Sequence, residues 1–254
     1  MRELKITADG RHYTYMVPES YREMNERQYH AAMLHLMHLV DRAPFWYRYV
    51  GMKPSFCEQL PEWVLMQMDD MLAFIPMLSE QLDHFIIEQL PQRGVWGKRL
   101  SAPEPMLANV SLQQFMTADS FFSYYCVTQR ETFIDRLVAS VYLAKHETFV
   151  LENKKDVLVP MEQREAYIHK HMPAEVRFGV FMNWILIKNW LTATFPNMFP
   201  RGSSDGKPKA SDWLGLFDSF VGDNIPFMKD YQRMSCMDAF RVIDGKIKHQ
   251  NERK

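Results

Sequence analysis

The chain has 254 residues, of which 47% are hydrophobic and 24% charged, a globular composition that excludes a disordered, collagen-like or coiled-coil protein. Thirty Lys and Arg residues are balanced by 31 Asp and Glu residues, so no global field attracts nucleic acid, acidic substrates or an anionic membrane surface. The three cysteines, Cys57, Cys126 and Cys236, are too far apart for a disulfide framework or a thiolate metal cage, and they predict a reducing compartment.

Two stretches of the sequence bear on where in the cell the protein is expected. The N-terminal sequence MRELKITADG has no apolar region of the kind that a signal peptide needs. The most apolar window, residues 178–191, is interrupted by Asn183, Lys188 and Asn189, so it predicts a buried helix and not a membrane span. We therefore expect a cytoplasmic protein without membrane contact.

The N-terminal region begins with a predicted β-hairpin. Apolar and polar residues alternate over residues 1–17, and Asp9-Gly10 in the middle is typical of a tight turn. Asn25 and Gln28 then have the spacing of a capping box, which predicts a helix over 26–40. The punctuated aromatic segment 44–61 is compatible with a short helix between turns, and its state stays open.

Prolines and further capping pairs predict the next helices. Pro61 indicates a helix start, Pro76 a break and residues 79–90 a second helix. Prolines and glycines make residues 91–110 an irregular stretch and the most plausible boundary. Two further capping pairs, Ser111/Gln114 and Thr128/Glu131, predict two helices joined as an antiparallel hairpin.

The second half is also predicted to be helical. A brief strand at 157–159 precedes predicted helices at 162–171 and from Pro173 to about 194, and a flexible loop at 196–208 precedes helices at 211–220 and from Ser235. The expected fold is mainly α, or α+β at most: a multi-helix bundle with a small N-terminal β-hairpin. We divide it into regions 1–90, 91–200 and 201–254, which are also compatible with one compact domain.

Several residue groups have the types, but not the context, of metal or phosphate sites. His30, His35 and His38 lie close together without the Cys-x-x-Cys or His-Glu-x-x-His pattern that zinc sites use. The rings of His169 and His171 diverge if their segment is helical. Residues 202–207 resemble a phosphate-binding loop, but the glycine spacing is short by one residue and a proline stands where a hydroxyl is needed.

Catalytic pairings are similarly incomplete. Asp135, Glu152 and Lys154 have the residue types of a metal-dependent nuclease, but such carboxylates need adjoining strands and Asp135 lies in a predicted helix. Cys126 could meet His146, yet its neighbours are apolar and would raise the pKa of the thiol. We predict no catalytic, cofactor-binding or metal-binding residues, and hence a protein that is not an enzyme.

A partner surface is the function that the composition favours. Nineteen methionines and 34 aromatic residues are unusually many, and eight of the methionines lie between residues 24 and 77. Methionine serves adaptable binding surfaces as well as cores, so two alternatives are open: core filling, which the pattern favours, and a Met- and aromatic-lined groove for a partner. Its predicted partner-binding residues, together with two from the basic C-terminal segment, are Met33, Met37, Phe45, Trp46, Tyr49, Met68, Lys246 and Lys248.

The basic C-terminal segment 241–254 has five cationic and two acidic side chains, a net charge of +3. It is compatible with an acidic protein partner or with nucleic acid, although we favour a solvated helix end, where cations suit the helix dipole. The aromatic groups Tyr124/Tyr125 and Trp184/Trp190 have helical spacing, which favours core packing over base stacking. Nucleic acid is therefore not the partner that we expect.

Three central segments carry a resemblance to a known group of proteins. Residues 107–119 (LANVSLQQFMTAD), 133–142 (FIDRLVASVY) and 189–200 (NWLTATFPNMFP) resemble uncharacterised helical proteins of phage and prophage regions near tail genes. The opening hairpin followed by a helix is similar in style to tail-assembly accessory proteins. The resemblance implies a role in tail assembly and brings no catalytic residues with it.

The function that we expect is a non-enzymatic, phage-type protein-binding or assembly module, a tail-assembly chaperone being one such protein. Its partner would be a phage structural protein, and an oligomer is compatible with the sequence. The alternatives are a structural virion component and a nucleic-acid-binding helper that uses the basic C-terminal segment.

Overall fold

The computed structural model describes residues 1–8, 10–90, 99–151, 153–199, 213–222 and 224–253. The chain divides into two compact units, Met1–Leu82 and Asp83–Lys254. Its described residues form eleven α-helices and three two-stranded sheets, which confirms a mainly α fold with a small N-terminal hairpin. Among the described helices, none is both long and apolar enough to cross a membrane.

The first unit contains a hairpin and four helices: β1 (Arg2–Ala8), β2 (Arg11–Val17), α1 (Glu26–Leu36), α2 (Arg42–Val50), α3 (Pro54–Cys57) and α4 (Glu62–Asp69). The described part of the second unit contains seven helices and four two-residue strands: β3 (Leu100–Ser101), α5 (Leu112–Thr128), α6 (Glu131–Val141), β4 (Leu143–Ala144), β5 (Glu147–Thr148), β6 (Val157–Leu158), α7 (Met161–His171), α8 (Ala174–Thr194), α9 (Trp213–Val221), α10 (Met228–Arg233) and α11 (Cys236–Asn251).

Local sequence signals account for the start of the first unit. Strands β1 and β2 pair antiparallel, with Ala8 opposite Arg11, and Gly10 has the positive φ of +69° that the turn needs. Asp9 lies outside the described residues. The predicted capping box is present: the Asn25 side chain accepts from the Gln28 N–H, and the Gln28 side chain accepts from the Asn25 N–H, both at 3.0 Å.

The segment whose state stayed open is helix α2. It packs on α1 and ends at Gly51, which has the left-handed φ of +76° that suits glycine. Asp69, the last residue of α4, accepts hydrogen bonds from Trp46 Nε1 at 2.9 Å and from Arg42 Nε at 2.6 Å. This carboxylate therefore joins the end of α4 to α2.

The predicted helix over 79–90 is wrong. Residues 78–90 are extended or bent, and Leu78 has a left-handed φ of +44° that interrupts any helix there. Long-range contacts hold the segment instead: the Glu80 carboxylate accepts from Tyr21 N–H, and the Asn183 side chain bonds to the backbone of the segment at Ile86 N–H and His84 C=O. Partners so distant in sequence leave no local pattern, and the apolar spacing alone resembled a helix.

Three helix ends also differ from prediction. Helix α1 ends at Leu36 and not at 40, because His38 has a left-handed φ of +55°. Thr128 does not cap α6: it ends α5, its hydroxyl donates to the Tyr124 C=O, and Arg130 is the N-cap. Ser235 precedes α11 as predicted, but its side chain makes no capping hydrogen bond.

The second unit is built around the predicted helical hairpin. Helices α5 and α6 contact each other along their lengths, α7 and α8 pack on α6, and α10 and α11 pack on α5. Phe115 of α5 is fully buried, with its ring centroid 5.4 Å from Trp184, 5.3 Å from Trp213 and 4.8 Å from Phe240. Aromatic packing on one side of α5 therefore holds α8, α9 and α11 together.

The unit boundary differs from the predicted regions. It lies at 82/83, eight residues before the predicted 90/91, because the chain after Leu82 bonds to α8 through Asn183. The described part of the predicted C-terminal region belongs to the second unit, because Trp213 and Phe240 pack on Phe115. Most of the predicted loop, residues 200–208, lies outside the described residues.

The capping box gives a first prediction. Replacing Asn25 by Ala removes the acceptor for the Gln28 N–H, and we expect the free energy of unfolding to fall by about 1 kcal/mol. Asn25→Asp keeps the acceptor and should be nearly neutral. Urea unfolding followed by circular dichroism measures the free energy of unfolding of both variants. Equal stabilities of wild type and Asn25→Ala would contradict the proposed role of the cap.

Candidate functional site

The residues predicted to form a Met- and aromatic-lined groove lie mainly in the core of the first unit. Of these six side chains, only Met37 is half-exposed. The other five are buried: Met33, Phe45, Trp46, Tyr49 and Met68. The Phe45 ring lies 5.2 Å from Trp46 and 5.0 Å from Tyr49 between centroids. Their burial favours the core-filling alternative, because a buried side chain offers no surface to a partner.

Other apolar side chains of the same region are exposed. Trp63 and Met66 of α4 are 62% and 55% exposed, whereas Leu65 and Met68 of the same helix are buried. Residues three apart lie on the same side of a helix, so Trp63 and Met66 form one exposed apolar face, called here the α4 face. Met77, in the turn that follows α4, is 67% exposed.

The sequence contained a signal for the α4 face. Leu65 and Met68 have the spacing of one apolar helix face, and Trp63 and Met66 fall outside that spacing. A large apolar residue on the solvent side of an amphipathic helix is more informative than the excess of methionine in the region as a whole.

The basic C-terminal segment is less cationic at its surface than its composition suggests. Lys246 and Lys248 are exposed on α11, but Lys246 Nζ lies 5.2 Å from the ring centroid of Phe220 and Lys248 Nζ lies 4.0 Å from a Glu252 carboxylate oxygen. Arg241 is 3.1 Å from Asp238. These neighbours already contact the cationic groups that would bind the phosphates of nucleic acid.

The candidate metal and thiol groups take structural places. Among the residues that the structure describes, no group of three or more His, Cys, Asp or Glu side chains could hold a metal ion. The His35 ring packs on Phe45 at 4.5 Å, and burial lowers its pKa. Burial also raises the pKa of the Cys126 thiol, which disfavours the reactive thiolate. The predicted phosphate-loop segment 202–207 lies outside the described residues.

Asp135, the candidate nuclease carboxylate, is committed to a buried ion pair. It is buried within α6 and accepts a hydrogen bond from Arg177 and another, at 2.9 Å, from His169 Nδ1. Its partner in the nuclease alternative, Glu152, is outside the described residues. The contacts of Asp135 with His169 and Arg177 join α6 to α7 and α8, so this carboxylate has a structural role.

Two adjoining clefts lie in the described part of the second unit. The first, of about 480 Å³, lies between the ends of β3 and β4 and the start of α5, and is called here the β3–β4 cleft. The second, of about 330 Å³, lies beside it at the starts of α5 and α11. The two share four lining residues: Asn109, Gln114, Leu143 and Glu147.

Paired backbone bonds fix the second cleft. Ser111 and Ser235, the N-caps of α5 and α11, form an antiparallel bridge. Arg233 lines this cleft, but its guanidinium donates to the Leu151 C=O at 2.6 Å. Asp156 accepts from the Asn153 N–H at 2.7 Å. Two of its charged side chains are therefore engaged by the protein itself.

The β3–β4 cleft has cationic side chains that are not engaged in this way. Arg99 and Lys145 line it, both are exposed, and the structure places no described acidic group within ion-pair distance of either. Glu147 lines it as well, and its carboxylate accepts from the Ala144 N–H at 3.1 Å. Arg99 and Lys145 are 46 residues apart in the sequence, which is why sequence reasoning missed the cleft.

Asp119 holds three helices of the second unit together. This fully buried carboxylate accepts hydrogen bonds from Lys188 Nζ at 2.7 Å, from Trp184 Nε1 at 3.2 Å and from Trp213 Nε1 at 2.9 Å. Lys188 is 25% exposed at its side chain, so its charge is only partly hydrated. One carboxylate thus joins α5, α8 and α9.

The Asp119 network gives a second prediction. Asp119→Asn leaves the Lys188 cation without its counter-charge, and we expect a loss of about 3 kcal/mol in the free energy of unfolding. The double variant Asp119→Asn/Lys188→Met should lose less than the sum of the two single variants, because it contains no unpaired charge. Urea unfolding of all four proteins measures the coupling, and additive losses would argue against the ion pair.

Asp244 gives a third prediction. Burial by itself would raise its pKa, but hydrogen bonds from the Asn197 side chain and from the Met198 and Asn197 N–H groups outweigh burial and hold the pKa below its usual value. A lowered pKa adds stability above the unfolded-state pKa, about 3.9, and this stability is lost as the pH falls through the folded-state pKa. Asp244→Asn should cost about 2 kcal/mol near neutral pH.

The pH dependence distinguishes this carboxylate from a merely structural polar group. The stability difference between wild type and Asp244→Asn should be constant at neutral pH and should shrink below about pH 4. Thermal unfolding at a series of pH values measures it. A difference that stays constant down to the lowest pH would contradict the lowered pKa.

Comparison with protein-family models, with curated proteins and with solved structures finds no match to this chain.

Proposed function

We propose that this chain is a non-enzymatic protein-binding or assembly module that contacts its partner through the α4 face. The observation that carries the proposal is the exposure of Trp63 and Met66, side by side on a helix whose other side is buried. Keeping a tryptophan in water forgoes the gain from burying its large apolar surface. A complex recovers that gain.

The chemistry of the face suits a protein partner. Tryptophan is enriched among the residues that dominate binding energy at interfaces, and methionine adapts its shape to different apolar surfaces. Glu62 and Asp70 flank the face in sequence and supply polar groups for the edge of an interface. The excess of methionine between residues 24 and 77 thus serves two purposes, the core of the first unit and this face.

The proposed partner is a phage structural protein. This part of the proposal is supported by the resemblance of residues 107–119, 133–142 and 189–200 to proteins of phage and prophage tail-gene regions. A tail-assembly chaperone is the specific form that we propose, acting in the cytoplasm where tail proteins assemble. An apolar face of this kind could shield an aggregation-prone segment before assembly.

The two rival functions make different predictions. A structural virion component would be found in purified particles, whereas an assembly chaperone would be absent from them. A nucleic-acid-binding helper would bind with a steep dependence on salt and would lose binding when residues 241–254 are deleted. The contacts of Lys246 with Phe220 and of Lys248 with Glu252 disfavour the second rival.

A fourth prediction tests the α4 face. The full chain is expressed with each tail protein of the same phage or prophage region, and complexes are detected by size-exclusion chromatography with light scattering. We expect a complex with one of them, and Trp63→Ala/Met66→Ala should weaken it at least about tenfold. Both side chains are exposed, so the variant should keep its fold.

A matched control removes exposed apolar area elsewhere. Leu214 and Val242 are 73% and 45% exposed in the second unit, and Leu214→Ala/Val242→Ala should leave the affinity unchanged. The proposal fails if no tail protein forms a complex, or if the α4-face variant binds as tightly as wild type.

A further inference from the structure

We propose that the β3–β4 cleft of the second unit binds a small organic anion that also carries an N–H or O–H donor. This site is separate from the α4 face, which belongs to the first unit, and does not depend on the partner proposed above. Carboxylates and phosphates share the anionic chemistry, and the experiment below distinguishes them.

The size of the cleft suits a small ligand. Small-molecule sites range from about 300 to 1,000 Å³, and the β3–β4 cleft has about 480 Å³. It is extended by the adjoining cleft of about 330 Å³, with which it shares Asn109, Gln114, Leu143 and Glu147. A ligand of a few to a dozen heavy atoms fits the first cleft alone.

The charges of the lining favour an anion. Arg99 and Lys145 bring two positive charges against the single carboxylate of Glu147. No described carboxylate lies within ion-pair distance of either cation, whereas Arg136, Arg177 and Lys188 elsewhere in this unit all have acidic partners. Arginine and lysine are the usual partners of carboxylate and phosphate oxygens in proteins.

Gln114 supplies a second, independent observation. It is only 6% exposed, lines both clefts, and donates from Nε2 to the Ser140 C=O at 3.0 Å. Because the two carbonyls beside it need donors, the amide is oriented with Nε2 toward the protein and Oε1 away from it. Among the described residues, no donor is placed on Oε1.

A ligand with an N–H or O–H group would supply that donor. Glu147 also lines the cleft, and its carboxylate accepts hydrogen bonds. The lining thus combines two cations for the anionic group with acceptors for a donor. Sugar phosphates and amino acids have both kinds of group.

The test uses the full chain and two matched ligand pairs. Ribose 5-phosphate is compared with inorganic phosphate, and glutamate with glutarate, which lacks the amino group. Binding is measured by isothermal titration calorimetry up to about 10 mM ligand. We expect ribose 5-phosphate or glutamate to bind, each at least about tenfold more tightly than its partner without the organic donor.

The fifth prediction assigns binding to the two cations. Arg99→Gln/Lys145→Gln should weaken the ligand at least about tenfold, because both charges are removed while two exposed side chains of similar length remain. The control Arg130→Gln/Lys170→Gln changes one exposed arginine and one exposed lysine of the same unit that do not line the cleft, and it should bind like wild type.

Which of the two ligands binds decides between a phosphate and a carboxylate as the anion. The proposal is overturned if none of the four compounds binds, or if the Arg99/Lys145 variant binds as tightly as wild type. Equal affinity within each ligand pair would overturn the requirement for a donor.

Discussion

The hydrogen bonds to the buried Asp119 carboxylate are the interaction on which the second unit depends. Lys188, Trp184 and Trp213 all donate to it, so α5, α8 and α9 meet at one charge. A carboxylate without donors would be strongly unfavourable in the core, and this requirement fixes how the three helices pack. The rings around Phe115 then fill the space beside the network. The hydrogen bonds to Asp119 and the aromatic packing around Phe115 therefore hold this core together.

In the first unit, too, a carboxylate that accepts hydrogen bonds from side chains joins two helices. Asp69 at the end of α4 accepts from Trp46 and Arg42 of α2, and the aromatic residues of α2 pack around this contact. This arrangement buries Met68 and leaves Trp63 and Met66 outside. The fixing of α4 by its last residue is thus what exposes the apolar face that we propose as the partner surface. The same contact gives the methionine-rich region both a core and a surface.

The β3–β4 cleft arises where the helices do not meet. The segment that contains β3, the start of α5 and the segment from the end of α6 to β5 line this cleft. Gln114 shows how such a site escapes sequence reasoning: its spacing from Ser111 indicates a capping box, but its side chain instead donates to the Ser140 C=O at the end of α6. Arg99, Lys145 and Glu147 have no recognisable motif, because they converge only through the pairing of β3 with β4. The α4 face, by contrast, could have been read from helical periodicity.

The sequence by itself determined the mainly α fold, the N-terminal hairpin, the Asn25 capping box and the α5–α6 hairpin, because each depends on contacts between residues a few positions apart. The tertiary structure decided the extended path of residues 78–90, which depends on Glu80 binding Tyr21 and on Asn183 binding residues 84 and 86. It also decided which methionines and aromatic residues are buried, since amphipathic spacing shows that a helix has two sides but does not reveal how much of each side its neighbours cover. Burial and convergence are properties of distant contacts, and these exist only once the chain has folded.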